Sequence, residues 1–141
     1  AYDGWTEQAQ DKFQQIFGQG SMAFFACTGT AANILALKTV LKSTDAVVCA
    51  PSAHIQALES GAVASEIGCA TVLTVPRDDG KLTVEDVQDA LKRYNRMGSR
   101  FNNRPKVLAI SQPTESSVPY TPQEVKALAD YAHNQNMLLF M

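Results

Sequence analysis

Apolar and polar positions alternate along the chain in two rhythms. Short continuous apolar runs at residues 23–27, 46–50, 70–75, 106–111 and 137–141 read as strands buried on both faces. The segments around them repeat apolar residues every three or four positions, the spacing of an amphipathic helix. A first helix is expected over residues 6–17, and four more helical segments lie between the runs. From Thr83 onward, Val84, Val87, Leu91 and Tyr94 make one apolar face. Thr83 and Asp86 resemble a capping box, Arg93 and Arg96 sit in the last turn, and Gly98 is the expected stop. At Thr121 the signals coincide: Thr121 caps, Pro122 suits the first helical position, Glu124 completes the box, and Val125, Leu128, Ala129 and Ala132 face inward.

Continuous apolar strands separated by amphipathic helices predict an α/β fold, a mostly parallel sheet with helices on both faces in three layers. In such sheets ligands bind outside the carboxyl ends of the strands. That directs attention to four loops: Thr28-Gly29-Thr30, Pro51-Ser52-Ala53-His54, Pro76-Arg77-Asp78-Asp79-Gly80 and Gln112-Pro113-Thr114-Glu115.

Composition narrows the field without naming a chemistry. The 141 residues, 45% hydrophobic and 18% charged, suit one globular domain, and neither a repeat nor a linker divides residues 1–141. A formal net charge of −2 gives no reason to expect nucleic acid or an anionic membrane as partner. Three cysteines, Cys27, Cys49 and Cys69, lie in or beside apolar segments outside any CxxC pair, so buried reduced thiols in a cytoplasmic protein are expected. No apolar stretch reaches the length of a membrane span, and the start does not read as a signal peptide. The chain opens without Met and closes on the apolar run Met137-Leu138-Leu139-Phe140-Met141, as a piece of a longer protein would.

Each candidate residue has a plain reading beside a chemical one. Thr28-Gly29-Thr30 is either a helix cap or, with its small residues, hydroxyls and helix N-terminus, an anion cradle. It carries neither G-x-G-x-x-G nor a Walker lysine. His54 is either a surface or capping histidine or an acid, base or aromatic platform at the same edge of the sheet. Glu59 reads as a solvated helix residue, the alternative being that it orients His54 or meets a cation. Gln112 and Thr114 are turn formers or contacts for a ligand's polar edge. Ser52 lacks the elbow motif of a serine hydrolase, His133 suits a helix C-terminus, and no metal set is indicated.

In this order, Thr28-Gly29-Thr30-Ala31-Ala32-Asn33, Ala53-His54-Ile55 with Glu59-Ser60-Gly61, and Gln112-Pro113-Thr114-Glu115 with Val118-Pro119-Tyr120-Thr121 resemble the low-specificity L-threonine aldolases. These belong to the aromatic amino acid beta-eliminating lyase superfamily, pyridoxal-phosphate enzymes of fold type I. The resemblance implies part of the large cofactor-binding domain. It implies cleavage of threonine or allo-threonine to glycine and an aldehyde, and a homodimer or homotetramer acting on a small amino acid. It also implies that Thr28, Gly29, Thr30 and Gln112 bind pyridoxal 5'-phosphate, with His54 against the ring. There His54, or a water it holds, would take the β-hydroxyl proton. The group's Asp-Gly-Ala-Arg segment and its cofactor lysine have no match here, so the chain alone is expected to be inactive. Many relatives carry a histidine where Thr114 stands. The alternatives are another fold type I enzyme, an aminotransferase or a beta-eliminating lyase, and a noncatalytic module binding a phosphate ligand.

Overall fold

The computed structural model describes residues 3–68, 71–96 and 102–141. It forms two compact units, Ala1–Ala32 and Asn33–Met141.

In the first unit, helix α1 spans Gly4–Phe17, starting two residues ahead of the expected helix. Asp3 accounts for the earlier start, because its carboxylate accepts the amide hydrogens of Trp5 at 3.0 Å and Thr6 at 2.9 Å. The strand expected at 23–27 does not form. A strand exists only where a neighbour completes its ladder. Here the Ala23 amide donates to the Gln10 side chain at 3.1 Å, and the Phe25 ring stands edge-on to Phe13. Cys27, expected to be buried, is exposed at the end of this unpaired segment. Helix α2, Gly29–Val40, begins in this unit and continues into the second.

The second unit is built on four parallel strands: β1 (Asp45–Cys49), β2 (Thr71–Thr74), β3 (Arg104–Ala109) and β4 (Leu138–Phe140), in the order β2-β1-β3-β4. Parallel neighbours need crossovers, supplied by α3 (His54–Ala57) with α4 (Ala62–Ile67), by α5 (Val84–Arg96) and by α6 (Pro122–Asn134). Ala70 and Cys69, which precede β2, lie outside the described residues, as do Gly98 and Arg100.

Side chains of a strand alternate between faces, so each inner strand feeds two cores. Val47 and Cys49 of β1, with Val107 and Ala109 of β3, pack on one side against Leu37, Leu41, Ile55, Val63 and Ile67. Val48 and Ala50, with Leu108 and Ile110, pack on the other against Val87, Leu91, Leu128 and Ala132. Both faces are therefore helix-covered, which is why β1 is buried at every residue and reads as an unbroken apolar run. Each fully buried Val or Leu contributes about 1.5–3 kcal/mol relative to exposure. The one charge in this strand, Asp45, is 2% exposed and accepts from the Lys42 amide at 3.0 Å and Arg104 at 3.1 Å.

Both capping boxes form as expected. Thr83 and Asp86 exchange hydrogen bonds at 3.0 and 3.2 Å ahead of α5. At α6 the Thr121 amide donates to Glu124 at 2.7 Å, and the Thr121 hydroxyl accepts from the Glu124 amide at 3.3 Å. Val87 and Leu91 of α5, with Leu128 and Ala132 of α6, are the buried positions of the predicted faces.

Candidate functional site

Parallel strands end on the same side of a sheet, and the site is assembled there. After β1 the chain turns at Pro51-Ser52 and enters α3 at His54. That short helix stops at Ala57, and Ser60 and Gly61 adopt positive φ of 51° and 73° before α4. The left-handed pair separates α3 from α4, so Glu59 lies in the turn between them and not on a continuing helix. Its side chain is fully buried, and the solvated position expected for it is overturned. Glu59 Oε1 lies 2.9 Å from His54 Nδ1 and accepts from Asn33 Nδ2 at 2.7 Å. Its Oε2 is buried and has no hydrogen-bond partner among the described residues. Half-exposed His54 lines a cavity of about 210 Å³, together with Asn33, Ile55, Ser111, Phe140 and Met141. These residues come from the ends of β1, β3 and β4 and from the second turn of α2.

Asn33 carried no expectation of its own. Its signal was a lone amide side chain in the otherwise apolar stretch Ala31-Ala32-Asn33-Ile34-Leu35-Ala36-Leu37. A polar group in such a run needs a buried partner. For Glu59 the signal was the Ser60-Gly61 turn that follows it.

Gln112 and Thr114 serve the loop after β3. Gln112 Oε1 accepts from the Tyr120 amide at 2.8 Å and its Nε2 donates to the Tyr120 carbonyl at 2.9 Å, closing residues 112–120 into a clasp. One amide hydrogen and one lone pair of Gln112 remain for a ligand. The Thr114 hydroxyl donates to the Asp79 carbonyl at 2.8 Å and accepts from the Val118 amide at 3.2 Å, so it ties the loops after β2 and β3 together. Burial, with an added push from Asp79 and Glu124, raises the Tyr120 phenol above its ordinary value despite the Leu82 amide it accepts at 2.7 Å. Ser52 directs its hydroxyl at Gly80, and His133 is exposed late in α6.

In the first unit, Thr28 caps α2: its Oγ1 accepts from the Ala31 amide at 3.1 Å and its carbonyl from the Ala32 amide at 3.1 Å. The remaining first-turn amides belong to Gly29 and Thr30, and a Cβ placed on Gly29 would meet no atom within 4 Å. The cap reading is thus realised by Thr28, and the anion reading rests on Gly29 and Thr30. Among the described residues no three His, Cys, Asp or Glu side chains are grouped to hold a metal, and no helix is long and apolar enough to cross a membrane.

The chain is an α/β protein with a parallel sheet, helices on both faces and a histidine-lined cavity at the carboxyl ends of the strands, the edge where such sheets hold ligands. The chain belongs to the beta-eliminating lyase family, which it matches over residues 1–141. It is 37% identical over 128 residues to a low specificity L-threonine aldolase of Pseudomonas sp., an alignment covering 90% of this chain and 36% of that protein. The chain therefore spans about a third of the length of such relatives. A threonine aldolase structure from Leishmania major superposes with a TM-score of 0.71 at 32% identity, over 79% of this chain and 31% of that one. A PLP-bound C-S lyase from Staphylococcus hominis, 12% identical, shares the fold with a TM-score of 0.60 over 99% of this chain and 34% of the lyase.

Proposed function

We propose that this chain is part of a pyridoxal-phosphate-dependent aldolase that cleaves threonine or allo-threonine to glycine and acetaldehyde. The observation that carries the reading is His54, half exposed in a cavity at the strand ends, in a chain 37% identical to a low specificity L-threonine aldolase. The donor set suits the cofactor. Gly29 and Thr30 offer amides at the N-terminus of a 12-residue helix, where the dipole favours a dianionic phosphate, and Thr28 holds that end in shape. In this reading Thr28, Gly29, Thr30 and Gln112 hold the cofactor and His54 faces its ring. Bound pyridoxal phosphate supplies an electron sink for the pair released when the bond between the α and β carbons breaks. His54, or a water on it, takes the β-hydroxyl proton, so that the departing carbon becomes an aldehyde. The enzyme works as a dimer or tetramer in the cytoplasm, and the 141 residues alone do not turn over, as the resemblance implies.

The test uses the full-length protein with pyridoxal phosphate and threonine, following glycine and acetaldehyde. His54→Ala is expected to lower turnover about 10²- to 10⁴-fold, the span of general-base contributions, with the thermal melt unchanged. Full activity in that variant would remove His54 from the chemistry. Pyruvate and ammonia from cysteine, without glycine from threonine, would replace the aldolase by a beta-eliminating lyase. Steady turnover by residues 1–141 alone would refute the inactivity of the isolated chain.

A further inference from the structure

Glu59 is an unusual side chain in the second unit: a fully buried carboxyl group with Asn33 Nδ2 and His54 Nδ1 both on one oxygen and, among the described residues, no partner on the other. A buried carboxylate is costly, and one left half-satisfied is retained for a reason other than packing. The protein places it at a turn with two left-handed residues, Ser60 and Gly61, which itself costs conformational energy at the non-glycine position.

We propose that Asn33 and Glu59 are positioning residues that fix His54 as the Nδ1–H tautomer, leaving Nε2 as the basic nitrogen facing the substrate. Asn33 donates to Glu59 Oε1 at 2.7 Å, which engages that oxygen as an acceptor. An accepting carboxylate oxygen has no hydrogen to give, so the nitrogen 2.9 Å away, His54 Nδ1, is assigned as the donor. In a neutral imidazole a proton on one nitrogen leaves the lone pair on the other, so Nε2 is the acceptor. Burial makes the arrangement directional. Glu59 meets the ring at its Nδ1 edge and is out of water, whereas the imidazole is 43% exposed and free to present its other edge to the cavity. When the ring takes a proton at Nε2, the charge, shared over the imidazole, is met by the carboxylate at the Nδ1 edge, an attraction that solvent on the exposed part of the ring partly screens. Asn33 adds the register: carried on α2, it holds Oε1 in place at the Nδ1 edge of the ring.

The inference rests on the reading of His54 as the base, and the measurements separate the two. In full-length apoprotein with ¹⁵N-labelled histidine, the His54 ring, assigned by its loss in His54→Ala, is expected to show one neutral tautomer with Nδ1 protonated. Glu59→Gln can donate as well as accept, so it is expected to mix the tautomers. In the loaded enzyme it should lower kcat about 10- to 100-fold with KM held within about twofold. Asn33→Ala should give a smaller change in the same direction. A wild-type His54 protonated at Nε2 overturns the proposal whatever the variants do, and so does Glu59→Gln with an unmoved tautomer and unchanged kcat. If the tautomer is fixed and released as expected while His54→Ala keeps full turnover, the positioning stands and the role of His54 as base falls.

Discussion

Gly80 lies where the loops after β1, β2 and β3 approach one another closely. Its φ is +70°, and a Cβ there would lie 2.7 Å from Ser52 Oγ and 3.5 Å from Thr114 Cβ. Gly80→Ala therefore acts through two separable costs. An L-residue in the left-handed region costs about 1–2 kcal/mol. The contact with Ser52 adds about 1 kcal/mol, because the hydroxyl must leave its rotamer or the loop must shift. The sum is about 2–3 kcal/mol. Only the second part depends on Ser52, so in a Ser52→Ala background Gly80→Ala should cost about 1 kcal/mol less. Urea unfolding of the four proteins, wild type, two single variants and the double variant, measures both quantities through the midpoint at constant slope. A Gly80→Ala cost below about 0.5 kcal/mol would refute the strain argument, given that compatible Gly→Ala changes stabilise. An equal cost in both backgrounds would refute the contact.

Two further outcomes follow from electrostatics and burial. The Lys81 ammonium at 2.8 Å, then the Thr121 amide and hydroxyl, hold the Glu124 carboxyl down to about 2 from an ordinary 4.5. A depressed carboxyl lends stability that is complete above about pH 4.5 and lost as pH falls through 2, so urea midpoints over that window should fall less steeply in Glu124→Gln. Burial pushes the Cys49 thiol up to about 12, whereas Cys27 is exposed. Brief iodoacetamide treatment at about pH 8, mapped by mass spectrometry, should label Cys27 and leave Cys49 intact until the protein is unfolded.

The elements of the second unit were legible because local chemistry and burial agree there. β1 and β3 are sandwiched between two helix layers, so burial on both sides imposes an unbroken apolar run that declares a parallel sheet. Thr121 and Glu124 satisfy their own helix end within four residues, and nothing distant is needed to read them. Residues 23–27 carried the same apolar signal and failed, because a strand also needs a ladder, which no local pattern encodes. The site was half legible for the same reason. His54 follows from its place after β1, but its partner Glu59 comes from the turn between α3 and α4, and Glu59 is held in turn by Asn33, 21 residues before the histidine.

Sequence alone determined the α/β class, the caps, the covered central strands and the loops that follow them, since each depends on neighbours a few residues apart or on the average burial of a strand. Tertiary structure alone decided that 23–27 stays unpaired, that Thr114 is a fastener between loops, and that a glutamate with the appearance of a surface residue is the buried support of His54. Those outcomes hinge on which groups meet across the fold. A carboxylate's meaning changes from solvated charge to proton director once water is replaced by an imidazole on one side and an amide on the other.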